Sequence, residues 1–227
     1  MKRLLPLLLL ALCAPPLPAG EDFLRGSVVK SDVWKMDRVK DLEIFDGNVS
    51  FRNPRYTLKA DNALYARPAQ AWTMKGAVYM LRRFDDKSQV EVECDKAYYL
   101  ETLEEATLLR GALPVRMKYT GQDGGVLRGL ADSSLAENQK GLMTFTGAFS
   151  LSTENLSMYS ERGLYDNAEA TFLMYDSTPV AVGVRKGYDF AISAEKIKFF
   201  KDSRDIKFYN RVAGWVKDAP AEEPPTR

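Results

Sequence analysis

The chain has 227 residues, 45% of them hydrophobic and 28% charged, which is enough to bury one sizeable core. Its 32 basic residues nearly balance 31 acidic ones, and histidine is absent. That balance argues against a nucleic-acid binder, and the missing histidine excludes Ser-His-Asp and Cys-His catalysis, histidine acid–base chemistry and histidine-ligated zinc.

The chain opens with "MKRLLPLLLLALCAPPLPAG": Lys2 and Arg3, an apolar run from Leu4 to Leu12, then small residues up to Ala19 and Gly20. This is a signal-peptide pattern over residues 1–20, with cleavage expected after Ala19 or Gly20. Lipid modification at Cys13 and a retained anchor are the alternatives, although the run is shorter than the ~20 residues of a spanning helix and Pro6 interrupts it. Removing Lys2 and Arg3 leaves 30 basic against 31 acidic residues, a net charge of −1. Cys13 leaves with the signal, so Cys94 has no internal disulfide partner.

From Leu24 to Val216 apolar residues recur at every second position, as at Leu42 and Ile44, Val49 and Phe51, Val90 and Val92, Phe190 and Ile192. Period two predicts strands, and no amphipathic helix is expected. "DGN" (Asp46 to Asn48), "GQDGG" (Gly121 to Gly125) and "KDSRD" (Lys201 to Asp205) read as hairpin turns.

The alternation slips at acidic residues. Leu58 and Ala60 precede Asp61, with Ala63 and Tyr65 after it; Val92 and Cys94 precede Asp95, with Ala97 and Tyr99 after it. The same arrangement surrounds Glu161 (Met158, Ser160, Gly163, Tyr165) and Glu195 (Ile192, Ala194, Ile197, Phe199), with a degenerate copy at Asp132 that has Ala136 in the aromatic slot. The change of parity predicts a bulge or corner at each acid. An apolar-x-Gly-x-apolar unit alternates with it, centred on Gly47, Gly76, Gly111 and Gly147. The acids lie 34, 37, 29 and 34 residues apart, which predicts a stack of β windings.

Small residues before each corner face aromatic residues after it. Two sheets that meet along one side and splay along the other would then leave an apolar slot for an elongated acyl chain. Its expected lining is Val49, Phe51, Leu58, Ala60, Tyr65, Val78, Val92, Tyr99, Ile192 and Phe199. The corner acids are expected to accept backbone N–H bonds, and Cys94 to be a buried small residue. The open stack should end in two unpaired strands, one carrying Val28 and Val33, the other Phe208, Val212 and Trp215. Residues 21–216 form the β domain in this reading, and 217–227 a tail rich in proline and charge.

The segment "FDGNVSFRNPRYTLKADNALYARPAQAWTMKGAV", followed by "VEVECDKAYYLETLEEATLLRGA", resembles the OstA/LptA family of periplasmic lipopolysaccharide-transport proteins, through its Gly-Asn-Val and Ala-Asp-x-x-x-Tyr units. The resemblance runs from about Asp41 to Val216, strongest in the first two repeats, and departs from the pattern at Ala136 and at "MYDSTPV". It implies an all-β fold, an OstA-like jelly roll of stacked antiparallel strands with an open V-shaped groove that holds lipopolysaccharide or a related glycolipid. It also implies head-to-tail copies joined to LptC-like and LptD-like jelly-roll partners in a bridge across the periplasm to the outer membrane. No cofactor, metal or catalytic residue is expected. A membrane-anchored LptC-like role and a scaffold that binds no lipid are the competing readings, and spacing alone does not exclude a glycosidase-type carboxylate pair, because the fold decides which carboxylates meet.

Overall fold

The computed structural model describes residues 28–185 and 187–218. The expected signal segment lies outside the described residues, as does the expected tail beyond Asp218.

The described chain is all-β, with two 3-10 turns at Arg67–Ala69 and Asn138–Lys140. Its first strands are β1 Val28–Lys30, β2 Val33–Asp37, β3 Leu42–Arg52, β4 Tyr56–Ala66, β5 Ala71–Arg83 and β6 Gln89–Leu100. The middle holds β7 Glu105–Leu109, β8 Val115–Thr120, β9 Val126–Ala131, β10 Ser133–Glu137, β11 Leu142–Ser152 and β12 Leu156–Asp166. β13 Thr171–Tyr175, β14 Val180–Arg185, β15 Tyr188–Ser193, β16 Lys196–Phe200, β17 Ile206–Tyr209 and β18 Ala213–Asp218 complete it. Lys217 and Asp218 therefore extend the last strand past the boundary read from composition.

Every pairing is antiparallel, and the pairings resolve into two ladders. The first runs β2-β3-β4-β5-β6-β7-β10-β11-β12-β13-β16-β17. The second runs β1-β3-β4-β5-β6-β8-β9-β11-β12-β14-β15-β18. Strands β3 to β6, β11 and β12 are bent and belong to both; elsewhere two short strands meet at the same line. The molecule is thus a stack of rungs, each bent at a common corner, and the chain runs back and forth along them. The expected stack of antiparallel β windings is what the chain forms, with hairpins connecting successive rungs at both ends.

The corner has a simple chemistry. Acids and glycines alternate from rung to rung: Asp32 lies against Gly47, Asp61 against Gly76, Asp95 against Gly111 and Asp132 against Gly147. In the last rungs Asp176 and Asn210 take the glycine's place, and their carbonyls accept the backbone N–H of Glu161 (3.4 Å) and Glu195 (3.1 Å). Gly47, Gly76 and Gly147 have φ of +73°, +74° and +81°, and a Cβ there would collide with the neighbouring carboxylate. Glycine is required on both counts. The residue after each, Asn48, Ala77 or Ala148, is also left-handed, and Asp176, Ser177 and Thr178 repeat this backbone where "MYDSTPV" lacks glycine. The predicted parity change is real: register shifts fall between Asp46 and Val49, Lys59 and Asn62, Lys75 and Val78, and Thr146 and Phe149.

Two expectations are corrected here. "DGN" is a corner inside β3, with strand pairing continuing on both sides, and so is not a hairpin turn. The corner acids do not take backbone N–H bonds through their carboxylates. Their own N–H groups donate, from Asp32 to the Gly47 carbonyl and from Asp132 to that of Gly147 (both 2.9 Å). The carboxylates accept side-chain donors instead, as from Asn48 to Asp32 (2.8 Å) and Arg211 to Glu195 (2.6 Å).

The outer tips of the first ladder hold a second repeat. Asp41, Gln70, Glu104, Gly141, Ala170 and Arg204 are all left-handed, at the spacing of the corner acids. The carbonyls of the first five accept the N–H of Arg67, Glu101, Asn138, Asn167 and Lys201 on the next tip, at 2.9–3.2 Å. Exposed backbone groups are satisfied along the tips in this way.

Candidate functional site

The ten residues expected to line the slot do share one inner surface. Val49, Phe51, Leu58, Ala60, Tyr65, Val78, Val92 and Phe199 are buried, while Tyr99 and Ile192 are half-buried. The outward positions Lys59 and Glu93 are exposed, as period two requires. Over the first rungs, however, this surface is filled. Phe51 meets Phe45 edge-on at 5.2 Å and Trp72 at 5.3 Å, across the two ladders. Trp72 stacks on Tyr65 at 4.6 Å, and Phe145 stacks on Phe149 at 4.6 Å. The small corner residues make room for these rings, as at Gly163, where a Cβ would strike the Phe149 ring.

Two carboxylates at the tips hold the aromatic wall. Glu43, buried, accepts from Trp34 Nε1 (3.2 Å) and pairs with Arg67. Glu101 accepts from the Tyr65 hydroxyl and Trp72 Nε1, each at 2.9 Å. Sequence reasoning missed both: Glu43 alternates with the apolar Leu42 and Ile44 as a solvent-facing strand residue would, and Glu101 sits in a turn, where a charge looks solvated.

The interior opens at its carboxyl-terminal end. A cleft of about 480 Å³ lies between the second ladder's hairpins at Gly125–Val126 and Thr153–Leu156 and the last rungs of the first ladder. Val126, Leu156, Phe190, Phe199 and Ile206 supply apolar lining, with Glu154 and Arg204 beside them. The volume lies within the roughly 300–1,000 Å³ of ligand sites. Of the ten expected lining residues, Phe199 borders this cleft.

The Lys201–Asp205 hairpin bridges the ladders at one side of the cleft. Lys201, 4% exposed, places Nζ 4.8 Å from the centre of the Tyr119 ring and 3.8 Å from Asp202 Oδ1. The Arg204 guanidinium lies against Gly125 on the opposite ladder. Burial holds the Lys201 ammonium below its usual range, opposed by the nearby Asp202 and Asp86 carboxylates. Asp86 itself is held low, first by the Ser88 hydroxyl that donates to it at 2.6 Å.

Cys94 is buried, as expected of its slot, and burial pushes its thiol up to about 11; burial likewise pushes Tyr99 up to about 12 and raises Tyr119. These are acids that keep their protons in the folded chain after the unfolded chain has lost them. The contribution of Cys94 and Tyr99 to stability is complete below about pH 9 and is lost as pH rises towards 11–12, at about 1.4 kcal/mol per unit of displacement for each of these two, and Tyr119 acts in the same direction. Lys201, whose value is lowered, opposes this trend below its unfolded range. Urea midpoints should therefore fall steeply above pH 9, and Cys94→Ala should flatten the fall. A midpoint that stays level to pH 11 would contradict it.

Unpaired edges close the stack at both ends, β1 and β2 at one, β17 and β18 at the other. Val28, Val33, Trp34, Val212, Trp215 and Val216 are exposed there. Phe208, also expected on this edge, lies on the edge strand β17 with its side chain half-buried and packed against the core. Among the described residues no helix is long and apolar enough to cross a membrane, and no group of three His, Cys, Asp or Glu side chains could hold a metal ion.

No protein-family model matches the chain, and no curated protein matches it. Among solved structures it is similar to LptH from Pseudomonas aeruginosa, described as the LptA-homologous periplasmic component of that organism's lipopolysaccharide transport device. The alignment has 8% identity and a TM-score of 0.25, and covers 84% of this chain and 94% of that one.

Proposed function

We propose that this chain is a non-enzymatic carrier of an elongated glycolipid of the lipopolysaccharide class, acting in the periplasm as one link of a protein bridge between the membranes. The observation that carries the reading is the interior itself. Twelve corner residues, from Asp32 to Asn210, keep the apolar inner faces of both ladders in line, and that interior ends in an apolar cleft beside Arg204. An acyl chain would lie against Phe190 and Leu156, and an anionic head would meet the guanidinium. The paired free edges at each end support assembly by strand addition, head to tail, with copies or jelly-roll partners. The repeat resemblance from Asp41 to Val216 supports the same system. A lipid-free scaffold is the second reading, favoured by the filled inner face around Phe51.

Photo-crosslinking in cells separates the two. A crosslinking side chain at Phe190 or Leu156 should capture glycolipid, while one at outward Lys118 or Glu93 should not. Equal capture at all four positions, or none, would remove the carrier reading.

A further inference from the structure

The cleft at the carboxyl-terminal end has two walls, and both follow one short pattern. On the second ladder the β11–β12 hairpin places Glu154 at its turn and Leu156, the first residue of β12, two positions further in. On the first ladder the β16–β17 hairpin places Arg204 at its turn and Ile206, the first residue of β17, two positions further in. Each wall therefore carries one charge outside one apolar residue, and the two charges are of opposite sign.

Glu154 and Arg204 are the charged residues among the described residues that line the cleft, and neither side chain has a hydrogen-bond or ion-pair partner among the described residues. The other acids close by are engaged or face away. Asp123 accepts the Gly125 N–H of its own hairpin (2.9 Å), Asp202 pairs with Lys201 at 3.8 Å, and Asp205 is exposed and outside the lining. Elsewhere along the tips of the first ladder opposite charges meet, Arg67 with Glu43, Lys140 with Glu137 and Lys198 with Glu169. At the cleft the two signs stand on opposite walls and leave each other unpaired. Arg204 is half-buried, and a guanidinium there gains from an acceptor that its own chain does not supply.

An acyl chain held against Leu156 and Phe190 brings the head of the same molecule between these two charges. A head that carries phosphate alone satisfies the guanidinium but sets negative charge against the Glu154 carboxylate. A head in which an ammonium group stands beside the phosphate satisfies both walls. We infer that the cleft selects a zwitterionic head, a phosphate bearing a primary amine as in phosphoethanolamine, with the phosphate on Arg204 and the ammonium on Glu154. The inference rests on the carrier reading and names the head-group chemistry of its ligand. Phosphatidylethanolamine and a glycolipid substituted with phosphoethanolamine both supply that chemistry.

Native mass spectrometry of the purified full chain, offered lipids in two competing pairs, tests it. One pair is phosphatidylethanolamine against phosphatidylglycerol with the same acyl chains; the other is lipid A carrying phosphoethanolamine against the same lipid A without it. The amine-bearing member should bind roughly fivefold more tightly in one pair or both, and the pair that shows it identifies the source. Glu154→Gln should bring the two members level, Glu154→Lys should reverse their order, and Arg204→Gln should weaken both members by about the same factor. Glu154 is exposed on a hairpin turn, so its variants will fold, as a thermal scan will verify. Equal binding of the members in both pairs, or a preference that survives Glu154→Gln, overturns the inference and leaves the carrier reading standing. If no lipid of either pair binds, the carrier reading falls and the inference falls with it.

Discussion

Gly76→Ala should lower the stability of the chain by about 2–4 kcal/mol, seen as a urea midpoint lower by roughly 1–2 M. Two costs combine. Gly76 has φ +74°, where a side chain is strained, and its Cα lies beneath the Asp61 carboxylate, so a methyl group must displace it. Gly124, on the β8–β9 hairpin, isolates the first cost: φ is +80° with nothing within 4 Å of a built Cβ. Gly124→Ala should cost only about 1 kcal/mol. In Gly76→Ala with Asp61→Gly the collision is removed and part of the loss should return. Equal losses at Gly76 and Gly124 would show that close approach of the acid does not shape the corner.

Val92→Asp should abolish cooperative folding. Val92 is buried within the filled inner face, and an unpaired carboxylate there costs several kcal/mol, comparable to the whole stability of a domain. Phe190→Asp makes the same chemical change at the half-buried rim of the cleft, where water can reach the carboxylate. That variant should retain a cooperative thermal transition close to the parent's, and, if the chain is the carrier proposed above, native mass spectrometry of protein extracted from membranes should find glycolipid on the parent and none on the variant. A folded Val92→Asp that has shed lipid would mean that the slot extends past the cleft along the whole stack. An unchanged lipid load in Phe190→Asp would move the binding surface elsewhere.

Alternation and local sterics wrote much of this fold into the sequence. Period two placed Tyr65, Tyr99, Tyr165 and Phe199 on the inner face, and the parity change at Asp61, Asp95, Asp132, Glu161 and Glu195 located the corners, because a side chain's face is set by its own backbone. Tertiary structure decided the rest. "DGN" has the residues of a tight turn and also those of a left-handed corner, and only the strands paired on both sides of it choose between them. The tip repeat uses Asp41, Gln70, Glu104, Ala170 and Arg204, ordinary residues that carry no local signature of φ above zero. Asp32 went unread as a corner acid, since its meaning depends on Gly47, which reaches it only through the pairing of β1 and β2 with β3. Whether small residues such as Ala60 and Gly163 leave a gap depends on which ring the opposite ladder delivers. Phe51 and Phe149 fill the interior near the corner, and the space that remains open lies at the far rungs beside Phe190 and Arg204.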